Sequence, residues 1–380
     1  SGKDVSVIRC QDFVDWLAAL GVDFYAGVPD SLLKPVCFYL ADHAGDKHVV
    51  AANEGGGGAL ACGYHLATGK GPLVYLQNSG QGNTINPLLS LADRDVYSIP
   101  LFLLIGWRGE PGTKDEPQHV KQGKVTVSLL DAMDIPHRVL LPEPEGARRC
   151  VDDLLEIAKT ERRPVALMVR KDTFEPYKPS DPPADNFQMT REQAIETIVA
   201  ALSETDAVVS TTGKISRELY DYRDRIGQGH QGEFLTVGSM GHASQIAMGI
   251  ALAQPKRQVF CLDGDGAMLM HMGGAAIVGA AGLANFKHVI LNNGVHDSVG
   301  GMATAGLQVS FTEIVKACGY TEAWRVERRE DLAERVGQLR SQRGPAMLEV
   351  MVQRGARADL GRPKTSPIEN KTAFTDFLSR

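Results

Sequence analysis

Side chains that could hold a metal ion follow two apolar runs in the second half of the chain. The run at 259–262 ends in the letters DGDG, and the run at 288–291 ends in NN. A strand, a crossover helix and a second strand account for this pattern. Because such a crossover makes the two strands parallel, we expect Asp265 and Asn293 to meet at the carboxyl edge of one sheet.

A carboxylate oxygen and an amide oxygen, flanked by glycines that let backbone approach a ligand, suit a hard cation holding a diphosphate. Mg²⁺ prefers octahedral oxygen ligands, drawn from protein, phosphate and water. A GDG turn alone follows many buried strands and would indicate little. Its spacing from NN makes a cation site the better interpretation.

The elements that position these residues occur twice, because the sequence matches itself at a shift of 186 residues. The strand LVYL before Asn78 falls on VFCL before Gly264. Glycines also coincide, namely Gly27 with Gly213, Gly63 with Gly249, and Gly80 with Gly266. We therefore predict an α/β protein of two homologous, doubly wound parallel-sheet domains, at 1–172 and 189–380. Residues 173–188, rich in proline and acid, are predicted to form the linker.

The composition narrows the possible partners and compartments. The chain has 380 residues, 43% hydrophobic content and a formal net charge of −6, which argue against binding to nucleic acid or an anionic membrane. The six cysteines are scattered without zinc-site spacing, so we expect reduced thiols and a cytoplasmic protein. No apolar run is long enough to span a bilayer. An anionic substrate would need a local basic patch.

GDG followed after about twenty-five residues by NN resembles the thiamine diphosphate signature. Together with GVPDSLLKP at Gly27, GDGAMLMHMGG at Gly264 and NNGVHDSVGG at Asn292, it identifies the chain as a member of the thiamine diphosphate-dependent 2-oxo acid decarboxylases. The resemblance covers nearly the full chain, as a pyrimidine-binding domain followed by a diphosphate-binding domain. The central third domain of larger relatives is missing, which counts against a flavin-containing relative.

The resemblance assigns cofactor-binding roles in the second domain. It implies that Asp265, Asn293 and the carbonyl of Val295 bind Mg²⁺, and that the amides of Gly266 and Ala267 meet the diphosphate. It further implies two contacts to the thiamine rings. Met240 would lie as a wedge beneath the folded cofactor, and the carbonyl of Gly238 would accept a hydrogen bond from the pyrimidine amino group.

The catalytic roles are implied in the same way. Glu54, which precedes four glycines and matches Met240 in the repeat, would hydrogen-bond the aminopyrimidine ring and assist its proton transfer. Asp297, His296 and His242 are candidates for the later proton donor. Each could equally be a structural residue. Asp297 is preferred because it lies in NNGVHDSVGG, one of the strings that carry the resemblance.

The resemblance implies that the substrate is a 2-oxo acid with a second anionic group. 3-Phosphonopyruvate, cleaved to phosphonoacetaldehyde and CO₂, is the leading expectation, and sulfopyruvate is the alternative. A catalytically silent, cofactor-binding regulatory subunit is the alternative of a different class. The family also implies a homo-oligomer, a dimer or dimer of dimers, with active sites between chains.

Three segments offer groups for the substrate anion. The turn after Gly27 carries Asp30 and Ser31, and the loop after the strand ending at Ile105 carries Arg108. The glycine-spaced segment near the C-terminus carries Arg354 and Arg357, which we predict to belong to a mobile lid over the substrate.

Overall fold

Two compact units make up the protein. The computed structural model describes residues Ser6–Arg380, and the chain divides between Pro182 and Pro183. This division lies inside the segment predicted as the linker.

The first unit is a six-stranded parallel sheet. Its strands, in chain order, are β1 Tyr25–Gly27, β2 His48–Val50, β3 Leu73–Gln77, β4 Phe102–Gly106, β5 His137–Val139 and β6 Val165–Val169. Their spatial order is β2-β1-β3-β4-β6-β5, and every pairing is parallel. The central strands are mostly apolar and buried, as expected where helices cover both faces of a sheet, and the polar Gln77 lies at the end of β3.

The second unit repeats this sheet. Its strands are β7 Ala207–Ser210, β8 Glu233–Leu235, β9 Val259–Gly264, β10 Phe286–Asn292, the short antiparallel pair β11 Val295–His296 and β12 Met302–Ala303, then β13 Glu322–Val326 and β14 Ala346–Met351. The main sheet has the order β8-β7-β9-β10-β14-β13, the same topology as the first. The predicted fold of two homologous doubly wound domains is therefore confirmed.

Helices surround both sheets. Those of the first unit are α1 Cys10–Ala19, α2 Lys34–His43, α3 Glu54–Thr68, α4 Gln81–Pro87, α5 Pro117–Ala132 and α6 Pro144–Glu161. Those of the second are α7 Arg191–Ala200, α8 Lys214–Arg225, α9 Ala243–Ala253, α10 Asp265–Met270, α11 Gly274–Ala281, α12 Phe311–Ala317, α13 Arg329–Ser341 and α14 Pro367–Leu378. The single helix expected between β9 and β10 is thus two helices, α10 and α11.

The segment predicted as a linker is fixed to the two units rather than free. In the first unit, Tyr177 Oη and the backbone N–H of Ser180 both donate to a carboxylate oxygen of Asp42, at 2.8 and 2.9 Å. In the second, Gln353 Nε2 donates to the carbonyl of Phe187 at 2.9 Å. Its proline and acid content predicted the lack of regular structure but not these contacts.

The C-terminal segment belongs to the core of the second unit. Helix α14 starts with a capping box between Ser366 and Glu369. Its Phe374 and Phe377 pack into the hydrophobic core, and Asn370 hydrogen-bonds the backbone at both ends of β8. The end of the chain is therefore a structural element.

The cysteines, which all lie within the described residues, are not paired with one another. All six cysteines are free, and burial raises the pKa of Cys10 to about 12 and that of Cys62 to about 11. Among residues 6–380, no helix combines the length and the apolar character needed to cross a membrane.

Candidate active site

Asp265 occupies the edge of the sheet where the sequence places it. It begins α10 directly after β9 and is 2% exposed. Its carboxylate accepts a hydrogen bond from the Thr304 hydroxyl, and the backbone N–H of Asn293 lies near enough to lower its pKa, so Asp265 and Asn293 do converge. Burial raises the pKa of Asp265 to about 6, since the ionised form loses its water. A cation beside it would compensate that charge.

Asn293 follows β10 and is 4% exposed. Its Nδ2 donates to Asp297 at 2.7 Å, and its Oδ1 accepts from the backbone N–H of Val295 at 3.1 Å. The three predicted metal ligands, Asp265, Asn293 and Val295, therefore lie together within the second unit.

Two glycines beside these ligands leave no room for a side chain. A Cβ at Gly306 would lie 2.5 Å from a carboxylate oxygen of Asp265, and one at Gly266 would lie 2.7 Å from the His296 ring. Gly306 therefore lets backbone approach the Asp265 carboxylate, and Gly266 lets the His296 ring pack against the start of α10. The sequence analysis did not predict Thr304 and Gly306 as site residues, because their segment, ATAG, resembles no known metal-binding motif.

His296 and Asp297, the predicted catalytic residues that follow, are both tied into this edge. Burial lowers the pKa of His296 to about 4, so its imidazole is neutral at pH 7. Asp297 accepts hydrogen bonds from Asn293, from Arg191 at 2.8 Å and from the backbone N–H of Gly355. In this structure the Asp297 carboxylate joins three segments as an acceptor, and its role as the proton donor stays a prediction.

The turn that presents Met240 has a constrained backbone. Gly238, Ser239 and Gly241 have φ values of 66, 47 and 86°, in the left-handed region that favours glycine. Met240, half-buried, lies within this turn. Its neighbour His242 stacks on His271 with ring centroids 4.4 Å apart. His271, in GAMLMHMGG, is a further imidazole near this turn that the sequence did not single out.

Glu54 is the first residue of α3 and is 5% exposed. Asn83 Nδ2 donates to its carboxylate at 2.8 Å. A Cβ at Gly80 would lie 2.5 Å from the Glu54 carboxyl, and a Cβ at Gly55 would lie 2.5 Å from the carbonyl of Asn83. Packing against Asn83 therefore requires a glycine at position 55. A ligand that approaches the start of the helix would be a second reason for it.

Arg108 and Ser31 come together at the carboxyl edge of the first sheet. The Nη1 of Arg108 donates to Ser31 Oγ at 3.0 Å, and its Nε and Nη2 form a two-point ion pair with Asp115 at 2.9 and 2.6 Å. Asp115 also accepts from the backbone of Gly109 at 2.9 Å. A cation and a hydroxyl are thus held side by side. The Arg108 side chain is 21% exposed, so solvent reaches it.

Asp30 is not placed to contact a substrate, which corrects its predicted role. It is fully buried, and its two oxygens accept from Gln77 Nε2 at 2.7 Å and from the backbone N–H of Leu32 at 3.1 Å. Gly106 leaves the space that its carboxylate occupies, since a Cβ there would overlap it at 1.9 Å. Asp30 supports the turn that carries Ser31.

Arg354 and Arg357 are engaged by acidic and backbone groups of the second unit itself, so a lid that bound substrate through them would first have to break these contacts. Arg357 forms ion pairs with Glu192, Asp221 and Asp359 at 2.8, 2.7 and 3.0 Å. Arg354 donates to the carbonyl of Pro183, and its backbone N–H donates to Asp185 at 2.6 Å. Nothing in the glycine spacing indicated that carboxylates far away in sequence would neutralise these cations.

The donor set at the second sheet fits a magnesium diphosphate. A buried carboxylate with a raised pKa, an amide oxygen and a peptide carbonyl are oxygen ligands of the kind Mg²⁺ prefers. These donors thus fit a divalent cation of the kind that holds a diphosphate.

Comparisons with known proteins place both units in one family. Residues 10–132 match the N-terminal TPP-binding domain of thiamine pyrophosphate enzymes, and residues 212–350 match the C-terminal TPP-binding domain. A phosphonopyruvate decarboxylase of Streptomyces hygroscopicus is 35% identical over 389 residues, covering 98% of this chain and 94% of that protein. The chain belongs to the thiamine diphosphate-dependent decarboxylases. It is accordingly an enzyme, a carboxy-lyase, and the non-catalytic alternative is set aside.

Two further relatives show the breadth of this family. A phosphonopyruvate decarboxylase of Streptomyces viridochromogenes is also 35% identical, over 98% of this chain and 96% of its own length. A sulfopyruvate decarboxylase of Methanosarcina acetivorans is 27% identical over 96% of each chain. The decarboxylase family thus includes members of this length that are named for either anion.

Proposed function

We propose that this enzyme decarboxylates 3-phosphonopyruvate to phosphonoacetaldehyde and CO₂, in phosphonate biosynthesis, with thiamine diphosphate and Mg²⁺ bound. The observation that carries the proposal is the similarity to two phosphonopyruvate decarboxylases over nearly the full length of each protein. The Arg108–Ser31 pair supports it, because a fixed guanidinium beside a hydroxyl suits an oxyanion with several acceptor oxygens.

Asp265, Asn293 and the carbonyl of Val295 would hold Mg²⁺, and the start of α10 would receive the diphosphate. Glu54 would hydrogen-bond the pyrimidine ring, while Asn83 and Gly80 fix its side chain. When bound, the cofactor supplies the electron sink for the negative charge left when CO₂ departs. No side chain of the protein could delocalise that charge.

Arg108 would bind the phosphonate of the substrate. Asp115 orients the guanidinium, so less side-chain entropy is lost when substrate binds than for a free arginine. Ser31 would donate its hydroxyl proton to a second oxygen of the substrate. The overall charge of −6 makes this local cation necessary for an anionic substrate.

His296 and His242 remain candidates for proton transfer to the product. The low pKa of His296 means that it would act as a neutral imidazole, accepting at one nitrogen and donating at the other. His242 is stacked on His271, which fixes its ring plane.

Sulfopyruvate is the second candidate substrate, and the relative from Methanosarcina acetivorans favours it. A sulfonate carries one negative charge and a phosphonate up to two, yet Arg108 and Ser31 could serve either group. The two substrates differ in charge and protonation rather than in shape.

The test is to compare kcat/KM for phosphonopyruvate, sulfopyruvate and pyruvate, measured as aldehyde release with thiamine diphosphate and Mg²⁺ present. We expect phosphonopyruvate to give the highest value. A higher value for sulfopyruvate would transfer the proposal to that substrate, and a higher value for pyruvate would remove the role of the anion site.

We further propose that the enzyme is a cytoplasmic homo-oligomer, with each active site shared between the first domain of one copy and the second domain of another. The family resemblance supports this arrangement. Light scattering coupled to size exclusion would separate a dimer from a dimer of dimers.

A further inference from the structure

Asp297 joins three separate segments of the second unit through its carboxylate. It accepts from Asn293 Nδ2 at 2.7 Å, from Arg191 Nη1 at 2.8 Å, and from the backbone N–H of Gly355 at 3.1 and 3.2 Å. These donors come from the end of β10, the start of α7 and the segment after β14. Its side chain is only 11% exposed.

Arg191 is the anchor of this network. It is the first residue of α7, fixed by the capping box of Thr190, and is 4% exposed. Its Nε and Nη2 donate to the two carboxylate oxygens of Glu218 at 2.9 and 3.0 Å, and Nη1 is left for Asp297. Removing either carboxylate would leave this buried arginine with an uncompensated charge, so both carboxylates hold it in place.

The network fixes which way the amide of Asn293 faces. An ionised carboxylate can only accept, so the NH₂ group of Asn293 must point to Asp297 and its oxygen must point away. That oxygen also accepts from the backbone N–H of Val295 at 3.1 Å, which supports the same orientation. Without Asp297, the amide could rotate and present NH₂ groups to a cation, which they cannot bind.

We propose that Asp297 and Arg191 are positioning residues that orient the Asn293 oxygen for Mg²⁺. The inference rests on the proposed cation site and is independent of which 2-oxo acid is the substrate. Asp297 therefore acts through Asn293 and does not transfer a proton.

The test measures Mg²⁺ affinity by calorimetry at saturating thiamine diphosphate, without substrate. Asp297→Asn should weaken Mg²⁺ binding about 10- to 100-fold, the usual effect of losing a group that orients a metal ligand. Asp359→Asn is the matched control, because it changes a carboxylate that is 80% exposed and paired with Arg357. The control should leave Mg²⁺ affinity unchanged.

A reciprocal exchange separates orientation from a general effect on folding. In Asn293→Asp combined with Asp297→Asn, the donor and acceptor change places, and a carboxylate oxygen faces the cation. We expect the double variant to bind Mg²⁺ more tightly than the sum of the two single effects predicts. Arg191→Lys should weaken binding in the same direction as Asp297→Asn, because lysine cannot hold both carboxylates by the same fork.

Unchanged Mg²⁺ affinity in Asp297→Asn with lost turnover would overturn the inference and return Asp297 to proton transfer. Strictly additive losses in the double variant would also overturn it. Neither result depends on phosphonopyruvate being the substrate, so a failure here is distinct from a failure of the proposed function.

Discussion

The carboxylate of Asp115 holds the guanidinium of Arg108 by two N–H donors, at 2.6 and 2.9 Å, and so directs its remaining Nη1 to Ser31. The carboxylate is itself fixed by the backbone N–H groups of Gly109 and Glu116. A cation oriented in this way can bind an oxyanion without first being ordered.

Arg108→Lys should raise the KM for phosphonopyruvate about 30-fold or more, because lysine keeps the charge but cannot bind Asp115 and the phosphonate through the same fork, and losing a hydrogen bond to a charged group at such a site costs about 2 kcal/mol or more. Asp115→Asn should raise it about tenfold, since Arg108 keeps its charge but loses its orientation. Steady-state kinetics on phosphonopyruvate and pyruvate provide the measurement. Pyruvate has no phosphonate, so its kcat/KM should change little.

Glu110→Gln is the control for this prediction. Glu110 lies in the same loop and pairs with the half-exposed Arg170 at 2.7 Å. This variant should leave both substrates unaffected. Equal losses on pyruvate and phosphonopyruvate in Asp115→Asn would mean that the loop is structural and does not bind the anion.

Gly80→Ala should slow turnover strongly, because the new methyl group would lie 2.5 Å from the carboxyl of Glu54 and displace it. The loss should approach that of Glu54→Gln, about 10² to 10⁴ in kcat, the usual contribution of a placed proton-transfer group. Gly82→Ala is the matched control, since a Cβ there meets nothing within 4 Å. Proton exchange at the thiazolium carbon, followed by NMR after acid quench, would locate the defect, and wild-type exchange in Gly80→Ala would contradict it.

The affinity for Mg²⁺ should depend on pH through Asp265. Burial raises the pKa of this carboxyl to about 6, so below pH 6 the protonated form predominates and a proton competes with the metal. Apparent affinity should fall about tenfold per pH unit below pH 6 and level off above pH 7. Calorimetry from pH 5 to 8, corrected for Mg²⁺ binding to free thiamine diphosphate, would measure this.

Asp265→Asn should bind Mg²⁺ weakly at every pH and lose the dependence. An equally steep pH dependence in this variant would assign the titration to another group. Asp359→Asn, on the exposed surface, should retain the wild-type profile.

Mixing two inactive variants should restore activity if active sites are shared between copies. Glu54→Gln damages the first domain and Asp265→Ala the second, so a mixed dimer contains one intact site. With random exchange, about a quarter of wild-type activity should appear, because half of the dimers are mixed and half of their sites are intact. No recovery after proven subunit exchange would show that each site lies within one chain.

Truncation after Gln353 should lower activity on all substrates, contrary to the expectation of a lid specific for the anion. It removes Phe374 and Phe377, and the loss of each buried phenylalanine costs about 3 to 5 kcal/mol. Thermal unfolding should show a large drop in Tm. Arg357→Gln alone should preserve kcat/KM on phosphonopyruvate within about threefold, because exposed ion pairs contribute little. A loss confined to phosphonopyruvate in Arg357→Gln would support the lid.

The sequence alone predicted much of the fold, because the patterns that indicate it are either local, as in a strand followed by a helix, or repeated in both halves of the chain. The shift of 186 residues implied two copies of one domain, and the two sheets have the same strand order. The juxtaposition of Asp265 and Asn293 also followed from the sequence. Parallel strands joined by a right-handed crossover must end at the same edge, whatever packs around them.

Tertiary structure decided what these residues contact, because the partners are distant in the chain. Arg108 and Ser31 are 77 residues apart, Arg191 and Asp297 are 106 apart, and Arg357 and Glu192 are 165 apart. A basic segment has the same sequence whether its charges face a ligand or a carboxylate of the same protein. Only folding determines which charges are buried and paired, since the energy of a charge depends on its surroundings. For this reason the sequence identified Asp297 but not its acceptor role, and identified Arg357 but not its three acidic partners.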